Sequence, residues 1–413
     1  MRLEDLRGKT LAFAASGGLD SCTITRWLAD NGVRVVCVTL DLGQPDDPDL
    51  EAVRQRMLAS GAAEAHILDG REALAREGLA VIHAQARYEG DYWNTTGIAR
   101  HVTTKLLLQF MRQHGITILS HGATGRGNDQ VRFQIVTNML EPDFQVYAPW
   151  RDDAFLQAFG GRKEMIDFCL QRGIPIKASH AKPYSTDANL LGLTHEAGRL
   201  ESLEAGAHSI APEFGVLPEA APDKPERFAV RFEKGIPVVI NGQQVDILDA
   251  FQRANAAGGR NGVGIALHLV ENRFVGIKSR GVYETPGMQV LGKAYEYLLQ
   301  LLLDRRARRL FDFLAGYLGE QIYQGYWFDP GSAAAKAAVA AFSRFASGTI
   351  ELDLYKGHTI FAAAKDVPHC LYSETAASME KVGEFNHADS EGFLNVLGVS
   401  ARILARADQI SEK

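Results

Sequence analysis

The chain has 413 residues, 46% of them hydrophobic and 23% charged, with a net charge of −6 at pH 7. That length exceeds the ~250–300 residues one hydrophobic core usually serves, so at least two domains are expected. The acidic balance excludes a protein that grips nucleic acid through bulk charge, although a local basic groove would survive it.

The first ~150 residues alternate short apolar runs with helix-like segments, the pattern of a parallel sheet covered by helices. A strand is predicted over residues 11–15, then a glycine turn and a helix over 21–31 closed by Gly32. Residues 33–40 form a near-continuous β-branched run, as expected of a strand buried on both faces. A helix over 50–60, a strand over 65–68 and a helix from 71 to about 86 follow. The spacing then predicts a helix over 97–114 and strands over 116–120 and 144–148. From about Gly173 the character changes, and residues 181–189 read as a polar, proline-containing loop. A hairpin turns at Lys234-Gly235 and another at Lys356-Gly357; between them lie a helix over 249–257, a strand over 265–271, one long helix over 291–317 and an alanine-rich helix over 332–346. A last helix covers 393–408. Strands and helices here come in blocks, so this part is read as α+β. The predicted organisation is an α/β nucleotide-binding domain (1–172), an α+β domain (173–380) and a C-terminal arm (381–413).

Ligands of such parallel sheets sit at the carboxyl ends of the strands, which singles out residues 16–21, 41–47, 69–71, 121–129 and 149–153. Two of these segments are dense in functional groups. Ala14-Ala-Ser16-Gly17-Gly18-Leu19-Asp20-Ser21-Cys22 joins a strand to a helix, so unpaired N–H groups and the positive end of a helix dipole converge on an anion site. Ser120-His121-Gly122-Ala-Thr124-Gly-Arg126-Gly-Asn128-Asp129-Gln-Val-Arg132 carries glycines for close approach and mixed donors and acceptors for a substrate with amino and carboxylate groups. The four cysteines, Cys22, Cys37, Cys169 and Cys370, show neither CxxC pairing nor metal spacing and read as free thiols in a reducing compartment. The segment MRLEDLRGKT lacks the basic-then-apolar character of a signal peptide, and no apolar run approaches the ~20 residues of a membrane span. A cytoplasmic protein without a metal centre of its own and without nucleic-acid or membrane partners is expected.

Ser16-Gly-Gly-Leu-Asp-Ser21 resembles the pyrophosphate loop of the ATP pyrophosphatases, and residues 121–132 resemble the signature of the argininosuccinate synthase family. The likeness continues through Leu42-Gly-Gln-Pro-Asp46, Asn94-Thr-Thr96, Tyr184-Ser-Thr-Asp-Ala-Asn189, Thr194-His-Glu-Ala197, Val270-Glu-Asn-Arg273 and Lys278-Ser-Arg-Gly-Val-Tyr-Glu-Thr-Pro286. It covers nearly the whole chain, thins after about Tyr355 and is most similar to the enterobacterial subtype. The resemblance implies a HUP-like fold of the ATP pyrophosphatase type followed by a synthetase domain and a C-terminal helix. It implies condensation of citrulline with aspartate through a citrullyl-adenylate, with ATP and Mg²⁺ required, by a homotetramer.

Carried onto this sequence, the resemblance gives Asp20, Ser21 and Arg132 catalytic roles. It assigns Ala14, Ser16, Gly17, Gly18, Leu19, Asp20, Ser21, Cys22, Leu40, Gly122, Thr124 and Asp187 to ATP. Aspartate would be held by Thr124, Asn128 and Asp129. Citrulline would be held by Tyr92 (with Tyr88 as rival), Thr96, Asn128, Arg132, Ser185, Thr194, Glu196, Glu271 and Tyr283. Five positions depart from the family pattern: Cys22 replaces a hydroxyl residue, Leu40 a small residue at the adenine, Gly97 a serine or proline, His101 a proline and Arg126 a lysine. Two alternatives follow. One is a paralogue that adenylates another ureido or amide amino acid, and the other is a non-catalytic ATP-binding regulator. A transfer-RNA thiolation enzyme with the same loop would need cysteine pairs or zinc, which this sequence does not offer.

Overall fold

The computed structural model describes residues 1–45, 49–176, 184–380 and 386–412. Its first sheet is built on β1 (Thr10–Ala14) and β2 (Arg34–Asp41), whose interiors are buried on both faces, with β3 (Glu64–Asp69), β4 (Ile118–His121) and β5 (Gln145–Tyr147). All pairings are parallel, in the order β3-β2-β1-β4-β5. Parallel neighbours need crossovers, and helices supply them. They are α1 (Leu19–Asp30), α2 (Leu50–Ala59), α3 (Arg71–Ala84), α4 (Thr95–Gln113) and α5 (Asp129–Leu140), with α6 (Asp153–Ala158) and α7 (Arg162–Gln171) after β5. One core, with Phe13, Leu28, Val35 and Phe155, lies under α1 and α7. The other, with Val36, Val38, Leu40, Leu79 and Leu107, lies under α3 and α4.

The chain then turns to antiparallel pairing. β6 (Ser185–Asn189) and β7 (Gly192–Glu196) form a hairpin. β8 (Glu226–Glu233), β9 (Ile236–Ile240) and the short β10 (Gln243–Gln244) begin another sheet. After α8 (Ile247–Arg260), β11 (Leu267–Asn272) and β12 (Lys278–Glu284) complete the sheet β11-β12-β7-β6. Helices α9 (Pro286–Leu302), α10 (Arg305–Gln324) and α11 (Pro330–Ser343) precede β13 (Gly348–Tyr355) and β14 (His358–Lys365), which close the sheet β10-β9-β8-β13-β14. β13 alternates buried and half-buried positions along its length, the mark of a sheet with one face on a core.

The structure revises two expectations and adds elements that the sequence did not announce. Residues 185–189, expected in a loop, form β6; the expected loop's start, at 181–183, lies outside the described residues. The predicted helix over 291–317 is two helices, because Asp304 accepts from the Arg306 and Ala307 backbone N–H groups at 3.0 and 2.8 Å and so caps a new start. β7, β10, β12, α5, α6, α7 and the short helix over 374–377 had no predicted counterpart. The segment expected at 41–47 is described only to Pro45.

The described residues fall into two units, Met1–Pro368 and His369–Lys413. The second contains α12 (Glu374–Ala377) and α13 (His387–Arg406). Helix α13 buries none of its side chains, and Phe393, Leu394, Val396 and Leu397 are all more than half exposed. Among the described residues no helix is long and apolar enough to cross a membrane.

Candidate active site

The turn between β1 and α1 is held by its own serines. The Ser16 N–H donates to Ser21 Oγ at 3.1 Å, and the two hydroxyls lie 3.2 Å apart. The first rung of α1 runs from the Cys22 N–H to the Gly18 carbonyl at 3.0 Å, so the N–H groups of Leu19, Asp20 and Ser21 stand ahead of the ladder. No side chain caps them, because the N-cap is glycine. Uncapped donors at the start of a 12-residue helix form the anion site the sequence suggested. From below, Arg56 Nη1 donates to the Gly17 carbonyl at 2.8 Å. Asp20 accepts from Trp150 Nε1 at 3.0 Å; burial raises its carboxyl above the usual range against that hydrogen bond.

At the end of β4 the glycine loop runs into α5, which places Asp129 and Arg132 one turn apart on a buried face. Arg132 Nη1 donates to Asp129 Oδ1 at 2.7 Å and Nε to the Tyr323 carbonyl at 3.0 Å, with the guanidinium 5.1 Å from the centre of the Tyr323 ring. The other Asp129 oxygen takes Arg100 Nε at 2.9 Å, and Arg100 Nη2 reaches Asp187 Oδ2 at 2.6 Å. Arg132, Asp129, Arg100 and Asp187 thus form a chain of alternating charge across α5, α4 and β6. Burial alone would raise the Asp129 carboxyl, but Arg100 and Arg132 outweigh it and hold it well below the usual carboxylate range.

The sheet β11-β12-β7-β6 supplies the facing wall. Thr96 and Thr194 share a hydroxyl hydrogen bond of 3.0 Å, and the Thr96 N–H donates to the Tyr92 hydroxyl at 3.2 Å. Tyr92 stacks on Tyr283 with ring centres 4.3 Å apart, and Tyr88 on Tyr323 at 3.7 Å. Glu271 Oε1 accepts from Ser279 Oγ at 3.0 Å, and its carboxylate neighbours the buried Tyr323 hydroxyl, whose ionisation it opposes. Asn128 Oδ1 accepts from the Phe274 N–H at 3.0 Å, which ties the β11–β12 hairpin to the glycine loop. These walls enclose a cavity of about 250 Å³.

Comparison with known proteins identifies the arrangement. A family model described as the arginosuccinate synthase N-terminal HUP domain matches residues 10–175, and one described as its C-terminal domain matches residues 184–404. An argininosuccinate synthase of Rhodopirellula baltica is 43% identical over 400 residues, covering 96% of this chain and 98% of that protein. Those of a Thermotoga species and of Thermoanaerobacter pseudethanolicus are 38% and 39% identical, covering 95% and 97% of this chain and 97% and 96% of theirs. The chain belongs to the argininosuccinate synthase family. It is therefore an ATP-dependent ligase of HUP fold, in the family that serves arginine biosynthesis.

Of the residues that the argininosuccinate synthase resemblance singles out, the structure brings Asp20, Tyr92, Thr96, Gly122, Thr124, Asn128, Asp129, Arg132, Asp187, Thr194, Glu196, Glu271 and Tyr283 to the one cavity. It keeps others out of the lining. Ser16, Gly17, Gly18 and Ser21 form the adjoining turn. Ala14, Leu19 and Leu40 pack on the cores beside the first sheet. Ser185 is exposed on β6, outside the cavity. Cys22 is fully buried, its thiol 3.7 Å from the Gly17 carbonyl and pushed up to about 11 by burial, so it faces the underside of the turn.

Sequence reasoning missed Arg100, Arg273 and Tyr323. Arg100 had a usable signal, since it follows Thr96 by four residues and so shares its face of α4. Tyr323 arrives from α10 and had none. Gly97 explains how that helix can come so near. A Cβ there would lie 3.2 Å from Ile322 Cγ2 and 3.6 Å from Arg132 Cζ.

Proposed function

We propose that the protein adenylates the ureido oxygen of citrulline with ATP, releasing pyrophosphate, and then lets the amine of aspartate displace AMP to form argininosuccinate. The observation that carries this reading is the pairing of opposite charges around one cavity. Arg132 offers a cationic edge and Glu271 a carboxylate with one buried oxygen on the opposite wall, which together suit the carboxylate and ammonium of an α-amino acid. A pure ATP sensor has no use for such a pair. The uncapped start of α1 with Ser16 and Ser21 would receive the leaving pyrophosphate, and Gly122 and Asp187 would border the nucleotide. Thr124, Asn128 and Asp129 would present aspartate, while Tyr92, Thr96, Thr194 and Tyr283 would wall in citrulline. Holding the reactants in line is then the main catalytic device.

The family reaction implies Mg²⁺. Among the described residues no three potential metal ligands cluster, which fits an ion that arrives on the phosphates of ATP with one protein carboxylate at most. Asp20 would be that carboxylate, because it borders both the turn and the cavity. The ion would neutralise charge on the pyrophosphate.

The decisive assay offers ATP and a panel of ureido acids without aspartate. Citrulline is expected to give a burst of pyrophosphate and the shorter or longer homologues far less; a homologue that works where citrulline fails makes the protein a paralogue. A second result is expected from Gly97→Ala. Helix propensity favours it by about 1 kcal/mol, but the new methyl crowds Ile322 and moves the Tyr323 carbonyl that holds Arg132. Stability should change by less than about 1 kcal/mol by this balance, with a several-fold higher KM for citrulline, measured by melting and steady-state kinetics.

The exposed apolar residues of α13 support an assembly through the C-terminal arm, which we read as a homotetramer. Sedimentation should give four times the chain mass for the full protein and less when the chain stops at Pro368. The buried thiols of Cys22, Cys37 and Cys169 fit a cytoplasmic setting.

A further inference from the structure

Tyr323 reaches the cavity from the last turn of α10, and only 2% of it is exposed. The helix stops at Gln324, because Gly325 takes the left-handed region at φ +99° and caps it. The Tyr323 carbonyl is therefore among the last four of α10, which have no partner within the helix. Arg132 Nε takes it at 3.0 Å, a cation at the negative end of a helix dipole, and the guanidinium stands 5.1 Å from the centre of the tyrosine ring.

The same residue reaches the opposite wall. Its ring stacks on Tyr88 with centres 3.7 Å apart, and the Tyr88 hydroxyl donates at 2.6 Å to the carbonyl of Asn272, the neighbour of Glu271 on β11. The Tyr323 hydroxyl is buried against the Glu271 carboxylate itself. Burial first, and then that carboxylate, hold the phenol protonated far above its usual range, and Arg132 opposes them only in part. A protonated phenol beside a carboxylate is a donor.

Resting on the reading of Arg132 and Glu271 as the clamp for an α-amino acid, we propose that Tyr323 is the positioning residue that sets their separation and makes the site select α-amino acids among ureido compounds. It acts through its neighbours. The carbonyl and ring fix the guanidinium, while the hydroxyl donates to Glu271. Ser279, donating to Oε1 at 3.0 Å, would alone leave that carboxylate free to turn about its last bond. A second donor from another element fixes the turn. Neutral hydroxyls orient the carboxylate without cancelling its charge, which stays available to an ammonium.

Pyrophosphate release from ATP with three compounds tests this: citrulline, ureidopentanoate, which lacks the α-ammonium, and ureidobutylamine, which lacks the carboxylate. In the wild type each analogue is expected to lose at least about 10²-fold in kcat/KM against citrulline, since each leaves one side of the clamp unpaired. Tyr323→Phe should lower kcat/KM about tenfold, mainly through KM, for citrulline and for ureidobutylamine, the two ligands that use Glu271. Ureidopentanoate and ATP should stay within about twofold, because neither uses that carboxylate. Discrimination against the compound without an ammonium thus shrinks, and discrimination against the one without a carboxylate does not. Tyr323→Leu, which also removes the ring beside the guanidinium, should weaken ureidopentanoate as well. In a Glu271→Gln background, Tyr323→Phe should cost citrulline less than about a further twofold, because residues that act as a unit are not additive. A loss equal for all three compounds, or full additivity with Glu271→Gln, gives Tyr323 a merely structural role and overturns the proposal while leaving the clamp intact. A wild type that uses either analogue as well as citrulline overturns the clamp, and the role of Tyr323 with it.

Discussion

Replacing Arg132 by lysine is expected to lower kcat/KM for citrulline by about 10²–10³-fold while changing KM for ATP by less than about threefold. The guanidinium is held on two sides, by Asp129 through Nη1 and by the Tyr323 carbonyl through Nε, so that Nη2 is the corner left for a substrate carboxylate. A lysine ammonium is a point donor on a flexible stem and cannot satisfy both anchors and a ligand at once. Loss of hydrogen bonds to charged groups costs about 1.5–3 kcal/mol each, and forfeiting one anchor together with the substrate contact accounts for the expected range. Arg100 would still neutralise Asp129 in the variant, so the fold should lose little stability. Steady-state constants for both substrates check this, and equal weakening of ATP and citrulline would contradict the assignment.

What could be read in the sequence depended on how local the cause was. The β-branched run of β2 declares a strand buried on both faces, and the structure buries six of its eight residues. The turn at 16–21 was legible because a strand, two glycines and an amphipathic helix are adjacent in the chain. The positions of Asp129 and Arg132 were legible as chemistry but not as structure. Polar, glycine-rich residues precede them and hide the start of α5, and only the helix sets the two side chains face to face. The same holds for residues 185–189. Their polar composition reads as loop, yet β7 supplies the hydrogen-bonding partner that makes them a strand. The break at Asp304 carries neither glycine nor proline, and its capping aspartate was the one available cue. Least legible was the contribution of Tyr323, which joins the cavity from 191 residues beyond Arg132. Tertiary packing alone sets that contact.

The turn beneath the phosphates allows a sharper test, because its two glycines do different things. Gly17 has φ +72°, and a Cβ there would lie 2.7 Å from Val53 Cγ1 and 2.9 Å from Arg56 Nη1. Gly18 has φ −74°, which any residue adopts, and its Cβ would meet nothing closer than Ser16 Oγ at 3.4 Å. Gly17→Ala therefore carries the left-handed cost of about 1–2 kcal/mol plus a clash with the stiff, β-branched side chain of Val53, itself buried on α2. The turn must lift off α2, straining the hydrogen bond from Arg56 to the Gly17 carbonyl. A loss of about 2–3 kcal/mol in stability is expected by that sum, with ATP affinity down at least about tenfold. Gly18→Ala should leave the melting temperature of the ligand-free protein in place, and any effect should appear only when ATP is added, because its methyl would stand between the backbone and the phosphate. Melting curves with and without ATP separate the two. If both variants melt early without nucleotide, the turn is strained throughout and Arg56 is not its particular support. If neither does, the close packing of Gly17 on Val53 is not what shapes the anion site.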